Sequence, residues 1–203
     1  KYKGRNLASE SELFTYSFYP SKIFGSCGDS GAVMTNKRQN YLNVNSLRDH
    51  GRSSRYNHNA CGWNSRVDSF RSIYLIRYLD EVFKDISKRN KKNLIYKENL
   101  EKYSDKIIFV DTPNNYISNG YLNVNYIPDD KFKKKIERKL KEKKIGFSNI
   151  YPKPLSLQSG IKYYLKNSNQ LKYAGINSKW ISDHIINLPL YTSLSTNQIR
   201  YIT

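Results

Sequence analysis

The sequence predicts an α/β protein, and three observations carry that prediction. Short apolar or aromatic runs of strand length alternate with longer segments whose apolar residues recur at three and four. Turn and cap residues separate these segments, and no internal repeat marks a solenoid or a propeller. With 203 residues, 38% of them hydrophobic, the chain can build a core, which excludes a disordered protein. No stretch approaches the roughly 20 apolar residues of a membrane-spanning helix.

Residues 13 to 19, LFTYSFY, are rich in aromatics and stop at Pro20, the pattern of a strand running into a loop. The glycine-rich turn GSCGDSG leads into a second strand candidate at 31 to 35, GAVMT, and Asn36 is placed to cap a helix over 37 to 49. From 68 to 90, Phe70, Ile73, Leu75, Ile76, Leu79, Val82, Phe83 and Ile86 follow helical spacing. This predicts the longest helix of the chain, with one buried face. Beyond residue 91 the texture turns rich in lysine and asparagine, so a boundary falls between 85 and 95 and divides the chain into 1–90 and 91–203. The second part opens with strand candidates at 107 to 110, IIFV, and 121 to 127, YLNVNYI. Asp129 and Asp130 then start a basic helix reaching about Lys144, an order of charges that suits the helix dipole. Phe132, Ile136 and Leu140 form its inner stripe, so its lysines are read as a solvated face, with a phosphate-binding surface as the alternative. Gly146 ends this helix. A strand at 147 to 151, a turn at Pro152 and Pro154, and helices over 178 to 187 and from Thr196 onward complete the alternation.

The formal charge is +18, from 35 Lys and Arg against 17 Asp and Glu, a field that attracts nucleic acid or anionic surfaces. The positive charge is spread through every segment rather than gathered in a stripe or tail, which favours a general bias toward Lys, Asn, Ile and Tyr over nucleic-acid binding. Cys27 and Cys61 supply neither a disulfide framework nor zinc-ligand spacing, so a reducing cytoplasm is expected and no metal. Together with His50, His58 and His184 they carry no local hydrolase signature. The chain does not open on a basic-then-apolar segment and Met34 is its only methionine, so it is expected to begin downstream of a natural start.

Chemistry is best placed where the first strand ends. Ser17, Tyr19, Pro20, Ser21 and Lys22 are followed by Gly25, Gly28 and Gly31, a loop that presents one lysine beside two hydroxyls. A lysine amine is a nucleophile only when unprotonated, and a cofactor phosphate needs hydroxyl and N–H donors nearby. A solvated loop lysine is the alternative.

The blocks YSFYPSKIFGSCGDSGAVMTN, LRDHGRSSRYNHNACGWNSRVDSF, IYPKPLSLQ and INLPLYTSLSTNQI, in that order, resemble the carboxy-terminal part of the DegT/StrS family of nucleotide-sugar aminotransferases. Those enzymes use pyridoxal 5'-phosphate and have the aspartate-aminotransferase fold, fold type I. The resemblance implies that 1–90 is the end of the large cofactor-binding domain with its long connecting helix, and 91–203 the small α/β domain. It implies that Lys22 carries the cofactor covalently and shuttles the proton, and that the Ser17 hydroxyl binds the phosphate. Asn64 is implied to reach the phosphate of the neighbouring subunit, hence a homodimer with composite active sites. Arg66, two residues on, suits a bidentate grip on the carboxylate of glutamate, with a structural ion pair to Asp68 or another neighbour as the alternative. The implied reaction moves an amino group from glutamate to the ketone of a nucleotide-linked keto-sugar, for amino-sugar and polysaccharide biosynthesis.

The sequence also departs from the family. Family members carry roughly as many residues again ahead of the YSFYPSK block, including an aromatic that stacks on the cofactor ring and an aspartate that pairs with its nitrogen. The resemblance therefore implies that this chain alone is inactive. Ser156 stands where histidine is usual and Arg71 where glutamine is usual. Ser30 replaces a glycine, which is tolerable unless the position needs positive φ. Two other readings remain beside the enzyme: a non-catalytic remnant that keeps the dimer surface, and a basic nucleic-acid-binding domain.

Overall fold

A computed structural model describes residues 1–164 and 175–203. The chain divides into two compact units, Lys1–Ser87 with Thr112–Asn119, and Lys88–Asp111 with Gly120–Thr203. Residues 165–174, inside the second expected domain, lie outside the described residues.

In the first unit, strands β1 (Phe14–Ser17) and β2 (Gly31–Met34) pair antiparallel, from Phe14 opposite Met34 to Ser17 opposite Gly31. Helix α1 (Arg38–Leu47) follows, then a long loop, then the first part of α2 (Ser69–Leu100). Asp68 caps α2 by accepting from the Arg71 N–H at 2.8 Å. Segment 112–119 returns to the start of the chain, where the Tyr2 and Tyr116 rings pack at a tilt with centroids 4.6 Å apart and the terminal amine of Lys1 donates to the Ile117 carbonyl.

The predicted single buried face of the long helix is only half of what is found. Val82 is buried and Leu75 and Ile86 are half-buried along one side. Phe70, Ile73, Ile76 and Phe83 are 74%, 66%, 70% and 72% exposed on another. The helix is apolar on two sides, and this chain covers one. Val82 is the sole buried hydrophobic residue among the described residues of the first unit. The core lies in the second unit.

That unit is built on an antiparallel sheet of β3 (Ile108–Phe109), β4 (Asn123–Tyr126) and β5 (Ile185–Leu188), with β4 central. Helix α3 (Asp130–Glu142) packs Phe132, Ile136 and Leu140 on Ile127 and Ile186 of the sheet region. A second cluster joins Tyr96 of α2 to Leu194 and to Ile199 of α6 (Thr196–Ile202). Between α3 and α6 along the chain come α4 (Ser159–Tyr164), α5 (Ile176–His184) and then β5.

Two expectations are corrected in this unit. No strand forms over 147 to 151: Ser148 makes one bridge to Asn187, and the Ile150 N–H then donates to the Asn187 side chain at 3.0 Å instead of to a backbone ladder. The helix expected over 178 to 187 ends at His184, and its last apolar residues form β5, which the uninterrupted apolar pattern conceals. In β4 the asparagines face inward: Asn123 and Asn125 are each 1% exposed. Asn125 donates to Asn123 at 2.7 Å and Asn123 to Asn93 of α2 at 3.0 Å, so buried amides fasten the helix to the sheet.

Candidate active site

The end of β1 is shaped by glycines. A Cβ at Gly31 would stand 2.8 Å from the Tyr16 carbonyl, so only glycine lets β2 approach β1 there. The Phe18 N–H donates to the Ser30 carbonyl at 2.9 Å and continues the pairing past the strand. The chain then turns through Pro20, closed by the Lys22 N–H donating to the Tyr19 carbonyl at 2.9 Å. Gly25 passes directly under this turn, where a Cβ would lie 2.7 Å from the Pro20 carbonyl and 2.8 Å from that of Tyr19. An aromatic row holds the turn in place: Phe24 packs on Phe18 at 5.2 Å and on Tyr78 of α2 at 6.0 Å, between ring centroids.

On this support Lys22 is half-buried, and the Ser17 side chain is exposed, its hydroxyl accepting from the Tyr19 N–H at 3.4 Å. Ser30 does not have positive φ, and its hydroxyl donates to the Gly28 carbonyl at 3.1 Å, so the serine is accommodated. Arg71 covers Gly28 closely, since a Cβ there would lie 2.6 Å from its Nε, and its guanidinium pairs with Asp68 at 2.9 Å.

Asn64 and Arg66 sit elsewhere in the same unit. After α1 the chain folds back on itself: the Trp63 N–H donates to the Leu47 carbonyl at 2.7 Å, the Ser65 N–H to that of Arg48 at 2.8 Å, and the His50 N–H to that of Trp63 at 2.9 Å. Gly51 has φ +71°, and a Cβ there would lie 1.8 Å from the Ala60 carbonyl; one at Gly62 would lie 2.2 Å from the Gly51 nitrogen. This locked loop delivers Asn64 and Arg66 to a cleft of about 1020 Å³ beside Arg48, Tyr16 and the strand β2. Arg66 Nε donates to Asn64 Oδ1 at 3.3 Å, and its Nη1 lies 3.5 Å from Asp49. The Asp49 carboxylate also holds Arg52 at 3.5 Å. Of the partners expected for a structural ion pair, Asp68 is taken by Arg71, and it is another neighbour, Asp49, that pairs with Arg66.

The four candidate residues are thus placed as two pairs. Ser17 and Lys22 share the turn after β1, and Asn64 and Arg66 share the cleft, which neither Ser17 nor Lys22 lines. Sequence reasoning missed Asp49, Gly51 and Gly62, although all three lie in the LRDHGR and GWNSR blocks. Their signal is the pair of glycines flanking a short polar loop. Cys27 and Cys61 are free and exposed, and among the described residues no group of three His, Cys, Asp or Glu is placed to hold a metal. Among them too, no helix is long and apolar enough to cross a membrane.

The sequence profile of the DegT/DnrJ/EryC1/StrS aminotransferase family matches residues 1–203. A UDP-2-acetamido-2-deoxy-3-oxo-D-glucuronate aminotransferase of Pseudomonas aeruginosa is 26% identical over 201 residues, 99% of this chain and 53% of that protein. Among solved structures, DesV of Streptomyces venezuelae in complex with a ketimine intermediate superposes with a TM-score of 0.86 at 23% identity, covering 99% of this chain and 52% of that one. NtdA of Bacillus subtilis with bound cofactor PMP gives a TM-score of 0.83 at 21% identity, covering 98% and 46%. The chain spans about half the length of the curated relatives it matches.

Proposed function

The chain belongs to the DegT/DnrJ/EryC1/StrS aminotransferase family, and on that premise we propose that it forms the carboxy-terminal part of a pyridoxal-phosphate-dependent sugar aminotransferase, moving an amino group from glutamate to a nucleotide-linked keto-sugar. In this reading 1–90 is the end of the large cofactor-binding domain and 91–203 the small domain. The enzyme works in the cytoplasm, and turnover needs the polypeptide that makes up the other half of the relatives.

The residues present suit that cofactor. Its phosphate requires O–H and N–H donors and its aldehyde an amine, which are the groups offered by Ser17, Asn64 and Lys22. When bound, the cofactor supplies an electron sink for the bond broken at the substrate carbon. Lys22 Nζ would hold the cofactor covalently and, once freed from it, would carry the proton between the substrate carbon and the cofactor. Ser17 Oγ donates to the phosphate. Asn64 Oδ1 is engaged by Arg66, which leaves its Nδ2 to donate to a phosphate. Arg66 is oriented by Asp49 through Nη1, leaving Nη2 for the carboxylate of glutamate. In this reading Asn64, which lines a cleft that neither Ser17 nor Lys22 lines, serves the site of a second copy in a homodimer with composite sites.

The observation that carries this reading is the half-buried Lys22 on a turn that Gly25 alone permits. The test is to incubate the chain with pyridoxal phosphate, reduce with borohydride and map the adduct by mass spectrometry. The adduct is expected on Lys22 and lost in Lys22→Ala. Labelling spread over the surface lysines in proportion to exposure would overturn the reading.

A further inference from the structure

We propose that the free edge of β2 takes up an extended polypeptide strand, which becomes the third strand of the first unit's sheet. The pairing with β1 fixes which backbone groups point outward. The Phe18 N–H donates to the Ser30 carbonyl, and in the same register Tyr16 stands opposite Ala32 and Phe14 opposite Met34. Bonded and non-bonded pairs alternate in an antiparallel ladder, so Ala32 and Met34 bond to β1 while Gly31 and Val33 turn their N–H and C=O groups away from it. Among the described residues no hydrogen bond reaches these outward groups. The strand is open to solvent there, with Val33 and Met34 each 47% exposed.

The cleft of about 1020 Å³ runs beside this edge, lined by Gly31 to Thr35 without a gap but by Thr15 and Tyr16 alone of β1. Its charged lining residues, Arg48, Arg66 and Asp29, carry both signs. Arg66 already pairs with Asp49, and Arg48 Nε donates to Asn45 at 3.0 Å, so charge does not select the occupant. The backbone does. The outward donors and acceptors of Gly31 and Val33 repeat about 6.7 Å apart at the strand rise, a spacing that another extended backbone matches and a small ligand does not.

Nothing in the residues of β2 blunts the edge, since GAVMT has neither lysine nor proline. A two-stranded ribbon is marginal in water, and a third strand supplies the stability it lacks. The source of that strand, resting on the function proposed above, is the polypeptide that makes up the other half of the relatives.

The probe is a fluorescent peptide of about seven residues, alternating valine and threonine between terminal lysines. The lysines are repelled by the +18 chain, so its general field does not produce binding. The control peptide is methylated on every backbone nitrogen, which removes the donors and keeps the side chains. Titrated with the full chain and read by anisotropy, the first peptide is expected to bind saturably and the control not to bind. In hydrogen exchange followed by NMR, the Ala32 and Met34 amides are expected to be protected in the chain alone, and those of Gly31 and Val33 with peptide present. Val33→Pro deletes one outward N–H where an edge strand admits proline, and weakens binding about fivefold; Val33→Thr keeps the N–H and changes it less than about twofold. Circular dichroism checks that both variants stay folded. Equal binding of the methylated peptide, no binding of either, or full binding by Val33→Pro would overturn the proposal. So would protection of Gly31 and Val33 that rises with chain concentration in the absence of peptide, which assigns the edge to a second copy. The borohydride adduct on Lys22 is read separately: its absence with the peptide bound removes the named source of the strand and leaves the edge site standing.

Discussion

Tyr96 has no exposed surface, and its hydroxyl donates to the Pro189 carbonyl at 2.9 Å. Burial first, and the neighbouring Tyr191 second, push its ionisation well above the ordinary tyrosine value of about 10. Above pH 10 the unfolded chain loses this proton while the folded chain keeps it, so the folded state binds more protons and stability falls as pH rises. Tyr96→Phe is expected to cost about 1 to 2 kcal/mol at neutral pH through the lost hydrogen bond. It is also expected to flatten the loss of stability above pH 10, which urea unfolding on both sides of that pH checks. At the same scale the legible and the hidden parts of the candidate site separate cleanly. The Lys22 turn is readable because Pro20 and Gly25 act on neighbours a few residues away. The role of Asp49 is not, because its partner Arg66 is brought to it by the folding-back of the loop through Gly51 and Gly62.

Among the elements, α3 follows local rules most closely. Asp129 caps it by accepting from the Phe132 N–H, Asp130 sits in its first turn, and Lys139 and Lys141 sit in its last. Asp129→Ala is expected to destabilise the chain by about 1 kcal/mol, read from urea unfolding, with Asp129→Asn recovering most of it. Helix α6 is closed by a reciprocal capping box, in which Ser195 accepts from the Gln198 N–H at 3.1 Å and Gln198 accepts from the Ser195 N–H at 2.8 Å. Starts of this kind can be read because cap and helix are adjacent. Strand β5 cannot, since Ile185 and Ile186 continue the helical pattern of α5 without a break and only pairing with Tyr126 and Asn125 makes them a strand.

At the scale of the whole chain, the two units differ in how much apolar surface they leave uncovered. The second holds eight of the nine buried core hydrophobics among the described residues, and the first leaves Phe70, Ile73, Ile76 and Phe83 of α2 in solvent. Exposed apolar surface on this scale drives association. The chain by itself is expected to self-associate, and Phe70→Glu with Phe83→Glu to raise the monomer fraction in light scattering without lowering the unfolding midpoint. An unchanged distribution would show that other surfaces drive association.

The kinds of element, most of their order and the Lys22 loop are written in short-range patterns: period, cap, proline and glycine each act within about one turn or one hairpin. Which side of α2 meets a partner is not, nor that Asn123 and Asn125 turn inward while Val124 lies on the other face. Local pattern assigns an apolar stripe to the core and alternating asparagines to water. Folding instead pairs those asparagines with each other and with Asn93, thirty residues from Asn123 in sequence. A buried amide is stable only when such a partner is present, and a stripe is buried only when something packs on it. Both conditions are set by residues far along the chain.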